Sequence, residues 1–499
     1  MDDRAASPAS HDTIVVSDLH VSDVQPVLRG RPLWKRYKQR DLIVDDTFGR
    51  FVDHLLARVG PGAELVLAGD IFDFDGVMAI PRHPPFKVSW LERRRGLDAE
   101  EAKSAFKMGR ILQDHPVFVE ALRRWVLAGH SLVLIVGNHD IELHWAAAQR
   151  VLRQALALPE EGQGAVRFCE WFYISGGDTL IEHGNQFDAY CLCNDPVSPT
   201  IRWRGQEMMR VPFGNLAERY MLNAMGLFNP HVESSFIMSL AEYVAFFFKY
   251  MLRVQPLLGL TWLWSAVVTL VATLGQALQP AVRRPLELEE RLADVARRAN
   301  ATVGQAIALQ ALHVHPAAFN PWMIARELWL DRALILALLV GASFQVVTVY
   351  NVFDPMSPWW ALVVFLFLLP PFIFYARSVN SDVDSTERVL RERLPIAVRI
   401  AHASRVVIGH THVEHHTRLD SCELINTGTW SSAYRDVECT RPFGRKCFAW
   451  IRPGEDGARH ARLCAWQDPD VEVLPVVEGG GERSAGLLAA LRAQVTGRV

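Results

Sequence analysis

Five short apolar runs, each followed closely by Asp, Asn or His, constrain the fold of this chain more than any other feature. The runs are rich in Val, Ile and Leu and end at Gly or at a polar residue, which is typical of buried strands in an α/β protein. Because ligands bind at the carboxyl ends of such strands, we expect the polar residues to meet at one edge of a sheet. The runs are residues 14–16, 65–67, 132–136, 180–181 and 406–408.

Six motifs carry these polar residues: Asp18-Leu19-His20, Gly69-Asp70-Ile71-Phe72-Asp73, Gly137-Asn138-His139-Asp140, His183-Gly184, Gly409-His410-Thr411-His412 and Asn426-Thr427-Gly428. Their carboxylate and amide oxygens and imidazole nitrogens are suitable ligands for Mn, Fe, Zn or Co. Seven such ligands are too many for one tetrahedral site and match two ions that share a bridging carboxylate. The candidate metal ligands are Asp18, His20, Asp70, Asn138, His183, His410 and His412.

In order and spacing, the motifs resemble the calcineurin-like metallophosphoesterase superfamily, whose pattern runs D-x-H, G-D-x-x-D, G-N-H-D, H and G-H-x-H. The first two motifs are most similar to the bacterial branch that contains the UDP-diacylglucosamine pyrophosphatase. The resemblance covers the chain on both sides of an apolar central segment and leaves that segment out. It implies an α/β fold, an αββα sandwich of two mixed sheets, here interrupted by an α-helical transmembrane insertion.

The resemblance also implies a role for each site residue. Asp18, His20 and His412 would hold one divalent metal, and Asn138, His183 and His410 the other, with Asp70 as the bridge. His139 would stabilise the transition state or protonate the leaving oxygen, and Asp140 would orient its imidazole. Asp73 would orient other groups from outside the metal shell. The implied cofactors are two divalent ions, Mn first, with Fe, Zn or Co as alternatives.

The composition narrows the class of protein. A formal charge of −3 over 499 residues gives no reason to expect a polyanion-binding protein, so we expect no nucleic-acid partner. Seven cysteines without CxxC spacing indicate a reducing compartment. Residues 1–12 are polar, and no secretory signal peptide is visible there. We therefore expect the amino-terminal domain to stay in the cytoplasm.

Three uncharged stretches, residues 254–282, 333–353 and 355–376, predict membrane-spanning helices. His183 precedes them and His410 follows them, so one metal site requires an even number of crossings. A fourth span at 234–252, apolar except for Glu242 and Lys249, satisfies this requirement and gives spans 234–252, 257–279, 333–353 and 358–376. In the alternative, residues 254–282 are re-entrant or lie in the interface, which leaves a two-span hairpin.

The charge distribution predicts the orientation. The loop 283–332 carries seven arginines, whereas residues 354–358 include no basic residue, so the Arg-rich loop is expected on the cytoplasmic side with the metal site. Within this loop, residues 286–311 have helical apolar spacing and predict an amphipathic helix at the membrane surface or against the catalytic domain. The arginines are Arg283, Arg284, Arg291, Arg297, Arg298, Arg326 and Arg332.

The predicted organisation is a phosphoesterase domain in two parts, residues 1–230 and 377–475, around a transmembrane insertion at 231–376, with a flexible tail at 476–499. Helices are expected at 98–112 and 116–127, and closing antiparallel strands at 424–426 and 447–451. A basic run at 29–40 is interpreted as a solvated face, with binding of a phosphorylated head group or an anionic membrane as the alternative. It contains Arg29, Arg31, Lys35, Arg36, Lys38 and Arg40.

These features predict a multi-pass protein of the cytoplasmic membrane that hydrolyses a phosphomonoester, phosphodiester or pyrophosphate bond on the cytoplasmic side. The expected mechanism is attack by a metal-bridging hydroxide on a phosphorylated small-molecule or lipid substrate. The alternative is a membrane transport or channel protein with a regulatory phosphoesterase-like domain, although Glu242 is the only acidic residue within the predicted spans. The substrate, the metals and the oligomeric state stay open at this stage.

Overall fold

The structure of the chain is a computed structural model that describes residues 11–227, 229, 247–251, 257–282, 285–378, 385–419 and 422–478. These residues form a mixed α/β protein with parallel and antiparallel strands. Most of the predicted span 234–252, with Glu242, lies outside the described residues. Arg283, Arg284 and all but the first three residues of the predicted tail 476–499 lie outside them as well.

Two sheets contain the strands that end at the motifs. The larger sheet has the order β14-β13-β12-β1-β2-β3-β4, and the second has the order β15-β10-β11-β9-β6-β5. The strands of the larger sheet are β1 (Thr13–Val16), β2 (Glu64–Ala68), β3 (Ser131–Ile135), β4 (Val166–Cys169), β12 (Cys447–Pro453), β13 (Arg459–Gln467) and β14 (Asp470–Val473). The second sheet contains β5 (Phe172–Ser175), β6 (Thr179–Glu182), β9 (Arg405–Ile408), β10 (His415–Leu419), β11 (Cys422–Asn426) and β15 (Val477–Glu478). A hairpin of β7 (Thr200–Trp203) and β8 (Gln206–Met209) stands apart.

All five apolar runs are strands, as predicted, but they belong to two sheets and not to one. β1, β2 and β3 pair in parallel in the larger sheet, whereas β6 and β9 pair in parallel in the second sheet. The apolar pattern of a run predicts a strand and carries no information about which strand pairs with it. The expectation of one sheet, drawn from the runs alone, was therefore wrong, whereas two mixed sheets are present. The two closing strands are confirmed, since β11 pairs antiparallel with β10 and β12 pairs antiparallel with β1.

The two sheets face each other across a buried apolar cluster that includes Val15 and Val66 from one sheet and Ile181 and Val407 from the other. Helices cover the outer face of each sheet, because alternate strand residues point away from the shared cluster. The helices are α1 (Asp45–Leu56), α2 (Glu92–Arg95), α3 (Glu101–Asp114), α4 (Pro116–Leu127), α5 (Ala146–Leu156), α6 (Glu160–Gln163), α7 (Phe213–Tyr220), α8 (Leu258–Ala277), α9 (Pro285–Arg298), α10 (Val303–Gln310), α11 (Pro321–Glu327), α12 (Leu330–Tyr350), α13 (Trp360–Ser378) and α14 (Ser385–Ile400).

The region predicted as one amphipathic helix, residues 286–311, forms two helices, α9 and α10. Asn300 adopts a left-handed conformation with φ of 55°, which ends the first helix, and Thr302 caps the second with a capping box. Both helices pack against the outer face of the second sheet, and the backbone N–H of Ile174 donates to the carbonyl of Ala299 over 2.9 Å. Of the two predicted locations for this region, the structure shows packing against the domain.

Two helices, α8 and α12, are long and apolar enough to cross a membrane by length and composition. A third apolar helix, residues Trp360–Ala376 within α13, is shorter. α12 and α13 are packed side by side, and the hydroxyl of Tyr375 donates to the carboxylate of Asp331 over 2.7 Å. This contact joins the start of α12 to the end of α13, so the two helices form an antiparallel hairpin.

We predict that the Trp430→Ala variant loses about 3–5 kcal/mol of stability, the usual cost of removing a large buried aromatic side chain. The indole of Trp430 is fully buried, contacts Phe48 and Phe51, and donates to the carbonyl of Cys447. The measurement is urea unfolding of the full chain in detergent micelles. The matched control is Trp90→Ala, since Trp90 is 60% exposed, and an equal loss in both variants would contradict the prediction.

Candidate metal centre

The seven predicted ligands lie at the carboxyl ends of β1, β2, β3, β6 and β9, where the edges of the two sheets meet. Asp18, His20 and His412 form one group of residues that could hold a metal ion, with the ligand atoms within 4.8 Å of one another. A second group of the same kind contains Asp70, His183 and His410. Six of the seven ligands implied by the resemblance are in these two groups, with the bridging Asp70 in the second.

The distances within each group suit a shared ion. The Nε2 atom of His412 lies 3.2 Å from Oδ1 of Asp18 and 3.2 Å from Nε2 of His20. In the second group, Nε2 of His183 lies 3.1 Å from Oδ2 of Asp70. Asn138 is buried, and its Oδ1 atom accepts no hydrogen bond from the residues that the structure describes. A buried oxygen in this condition is costly unless a cation binds it.

Five of the seven predicted ligands have a left-handed backbone. This conformation costs about 1–3 kcal/mol for a residue with a side chain, and it persists only where the surrounding structure imposes it. It is concentrated at functional sites for that reason. The residues and φ values are Asp18 (54°), His20 (50°), Asp70 (52°), His410 (66°) and His412 (57°).

Three motif glycines are packed directly against predicted ligands. A Cβ atom on Gly69 would overlap the ring of His183, one on Gly137 would overlap the carboxylate of Asp70, and one on Gly409 would overlap the carboxylate of Asp18. The absence of a side chain at these positions lets the loops of the two sheets approach closely. The three glycines therefore allow the candidate ligands to lie side by side, an arrangement that we call the glycine cradle. The glycine cradle and the oxygen and nitrogen donor atoms around it both fit two divalent ions.

The sixth motif supports the loops and supplies no ligand. The side-chain amide of Asn426 donates to the carbonyl of Gly409 over 3.0 Å and to the hydroxyl of Thr411 over 2.9 Å. The hydroxyl of Thr429 and the backbone N–H of Trp430 both donate to the carbonyl of Asp18, each over 3.0 Å. These bonds connect the loops after β9 and β11 to the loop after β1.

The carboxylate of Asp140 binds the backbone of two loops. Its Oδ1 atom accepts from the backbone N–H of Gly137 over 2.6 Å, and its Oδ2 atom accepts from that of Ile71 over 2.9 Å. Burial and the nearby carboxylate of Asp70 raise the pKa of Asp140 to about 7. The structure thus places Asp140 between the loops after β2 and β3, which it holds together, and the role of Asp140 in orienting the imidazole of His139 stays a prediction.

The carboxylates near Nδ1 of His139 come from other residues. Oε2 of Glu218 lies 3.3 Å away, Oδ1 of Asp73 3.9 Å and Oδ2 of Asp75 4.0 Å. Burial opposes protonation of this imidazole, but the carboxylates of Asp70 and Glu218 outweigh it and raise the pKa of His139 to about 10. His139 therefore sits beside the ligands, with its ring 4.9 Å from that of His20, and is held by an acidic cluster.

The sequence analysis missed Glu218, which lies on α7. Asn215, one turn earlier on the same helix, donates to the carboxylate of Asp75 over 2.6 Å and to the carbonyl of Asn138 over 3.0 Å. Both polar side chains are buried although α7 is short. The available signal was their spacing of three residues, which places them on one helix face. That spacing alone is too common to indicate a site.

Asp188 was missed as well. Its Oδ2 atom lies 3.0 Å from Nε2 of His410, a partner that fixes the orientation of the ring. Burial opposes ionisation of Asp188, yet the contact with His410 outweighs it and lowers the pKa of the carboxyl. Asp188 follows His183 by five residues in the same loop. The sequence showed this proximity, but it did not show that the loop returns toward β9.

The basic run at 29–40 is only in part a solvated face. Arg29 and Arg31 are exposed, as interpreted, but Lys35 and Lys38 are buried. The ammonium of Lys38 donates to Oδ1 of Asp23 over 2.8 Å, and that of Lys35 donates to Oδ1 of Asn223 over 2.7 Å. Burial and the nearby Lys38 together lower the pKa of Lys35 to about 7. The interpretation as a solvated face was therefore wrong for these two lysines, whose hydrogen bonds hold the segment 29–40 against the domain.

We predict that Gly69→Ala weakens manganese binding about tenfold or more, because the new methyl group displaces His183. Isothermal titration of the purified full chain with Mn²⁺ measures the affinity. Gly62→Ala is the matched control: Gly62 also has a positive φ, of 70°, but a Cβ atom there has open space around it. Equal manganese affinity of the two variants would show that the absence of a side chain at Gly69 is not needed to position His183.

We predict that Asp188→Asn lowers manganese affinity by about 10–100-fold, the usual effect of removing a carboxylate that orients a metal-binding histidine. The charge is lost while the shape of the side chain is kept. Asp456→Asn is the control, since Asp456 forms a comparable contact with His460 that is exposed and distant from the site. Unchanged stoichiometry and affinity in Asp188→Asn would show that His410 needs no such partner.

Comparison with known proteins adds no assignment to this site. No model of a known protein family matches the chain. No curated protein matches it either. The chemistry of the candidate centre is therefore argued from the side chains and distances described above.

Proposed function

We propose that this chain is a metal-dependent phosphoesterase anchored in the cytoplasmic membrane. The observation that carries the proposal is the convergence of six candidate ligands in the two groups that a dinuclear site requires, with buried Asn138 at the end of a neighbouring strand. Five of the candidate ligands have a left-handed backbone, and three glycines are packed against candidate ligands. A chance approach of the side chains would require neither feature. Such costly local structure indicates a selected site.

The arrangement of layers supports membership in the calcineurin-like metallophosphoesterase superfamily. Two mixed sheets face each other, and helices lie on both outer faces, which is the αββα order that the resemblance implies. The motifs that resemble this superfamily all lie at one end of the sheets. The fold proposal is therefore a metallophosphoesterase sandwich that an apolar helical insertion interrupts between β8 and β9.

The proposed site residues are seven ligands and one proton donor. Bound divalent ions, with manganese as the first choice, supply positive charge for the attacking and leaving oxygens of a phosphoester and lower the pKa of water. The carboxylate of Asp70 lies between the two groups of ligands and is suited to join them. His139, beside the ligands, is placed to donate a hydrogen bond to a substrate oxygen, with Nδ1 directed to Glu218. Asp140 keeps the loops of both residues in position.

The insertion supports the membrane anchor. α12 has 21 residues and is about 31 Å long at 1.5 Å per residue, which matches the hydrocarbon thickness of a bilayer. Its apolar side chains are exposed, for example Leu334 (60%), Leu338 (62%) and Phe344 (56%). An apolar surface of this kind is unusual on a protein surrounded by water. The arginines of the loop before α12 favour a cytoplasmic location of the site.

We predict that Asp70→Asn abolishes manganese-dependent hydrolysis of a chromogenic phosphodiester, because the variant loses the charge that joins the two groups of ligands. The purified full chain is assayed in detergent with Mn²⁺ and with a chelator. Asp46→Asn, a change of an exposed carboxylate on α1, serves as the matched control and keeps its activity. Hydrolysis that survives Asp70→Asn, or that is unaffected by the chelator, would rule out the proposed site.

A further inference from the structure

α8 has two unlike faces. One stripe, Leu258, Trp262, Ala266 and Leu270, packs into an apolar cluster with residues of the domain such as Phe213. The stripe spacing of four residues places these side chains on one face of the helix. The opposite face is exposed and apolar, and consists of Leu260 (66%), Leu263 (41%), Trp264 (56%), Val267 (41%) and Val271 (62%).

The packed face follows the domain to the end of the helix and beyond it. The side chain of Gln276 accepts from the backbone N–H of Val211 over 3.0 Å, and the guanidinium of Arg210 donates to the carbonyl of Gln279. After the helix, the N–H of Val282 donates to the carbonyl of Thr200 over 2.9 Å, which places the chain beside β7. The helix thus lies along the domain from its first turn to its last.

This packing is incompatible with a crossing of the membrane by α8. α7, which lies against α8, carries the buried charges Glu218 and Arg219, and Arg210 lies beside the end of α8. A crossing helix would bring Arg210 and the β7–β8 hairpin to the depth of the hydrocarbon, where a charged guanidinium and an open sheet edge are costly. A helix that lies in the plane of the membrane immerses its apolar outer face alone.

We propose that the exposed face of α8 docks on the lipid surface as an in-plane interfacial helix, and that among the described helices the α12–α13 hairpin alone crosses the membrane. The inference rests on the proposed membrane anchor. The occupant is lipid because α8 is packed beside the base of the hairpin, whose surface is apolar and exposed. α11 contacts both α8 and α12, and Leu330 at the start of α12 packs with Leu258 and Trp262 on the packed face of α8. Exposed Trp264 and Trp329 suit the interfacial region on this side.

The in-plane position of α8 sets the distance between the candidate metal centre and the lipid surface. α7 separates α8 from the centre, since α7 packs on α8 and its Glu218 lies 3.3 Å from His139. Packed helices are about 8–10 Å apart, so the centre lies roughly one helix layer above the lipid surface. Two crossings by the hairpin also return the chain to the side that holds His183, as the shared site requires.

Depth-dependent fluorescence quenching tests the proposal. Single cysteines replace Leu260, Val267 or Val271 in the full chain, are labelled with bimane, and are reconstituted in vesicles of phosphatidylethanolamine and phosphatidylglycerol. The vesicles contain phospholipids brominated either near the head group or deep in the acyl chain. We expect all three positions to lose more fluorescence with the shallow bromines than with the deep ones, and to similar extents. The unsubstituted chain, with partly exposed Cys191 and Cys439, gives the labelling background.

Two control positions make each outcome decisive. Val340→Cys in the middle of α12 is expected to be quenched most by deep bromines, and Val117→Cys on α4 is expected to keep its fluorescence. Strongest deep quenching at Val267 would show that α8 crosses, and would overturn the proposal. Unquenched α8 positions beside a quenched Val340 would overturn it too, since water or a second copy would then cover the face.

The same samples separate this inference from the proposed function. None of the introduced cysteines belongs to the metal centre, so hydrolysis of the chromogenic phosphodiester is expected at the level of the unsubstituted chain labelled in the same way. Shallow quenching without hydrolysis would support the docking and refute the phosphoesterase proposal. An unquenched Val340 would refute the membrane anchor itself, and the docking with it.

Discussion

The meeting of two parallel strand sets at one end of the molecule is the constraint on which the rest of the structure depends. β1, β2 and β3 deliver Asp18, Asp70 and the loop of Asn138, whereas β6 and β9 deliver His183 and His410 from the facing sheet. Neither sheet alone carries both groups of ligands. The apolar contact between the sheets therefore positions the site, and the stability of that contact and the integrity of the site are coupled.

The loops at this end are arranged at a local cost that the surrounding contacts offset. Left-handed conformations at five ligands each oppose folding, and glycines at three positions allow an approach that side chains would block. Asp140 and Asn426 then join neighbouring loops through bonds to backbone groups. These bonds hold the candidate ligands in place through the protein's own contacts.

Several helices of the insertion pack directly against the domain. α9 and α10 cover the second sheet, α8 packs on α7, and the hairpin of α12 and α13 extends from this packed base. Glu218 of α7 reaches His139, so one short helix contacts both the candidate centre and the insertion. The parts of the chain on either side of the apolar insertion are thereby joined to it through packed side chains.

The sequence by itself determined the five strands that precede the motifs, the positions of the candidate ligands and the apolar insertion, because hydrophobic periodicity and motif order are local properties of the chain. The apolar runs did not show that these five strands divide between two sheets, since pairing depends on contacts between distant residues. The sequence also did not show that Asp140 binds the backbone of two loops, or that Glu218 and Asp188 lie beside the candidate ligands. It did not show that Lys35 and Lys38 are buried. Each of these facts depends on which loops lie next to each other in the folded chain. Only the tertiary structure decided that α8 lies along the domain: its apolar sequence is the same for a crossing and for an interfacial helix, and the polar neighbours on its packed face distinguish the two.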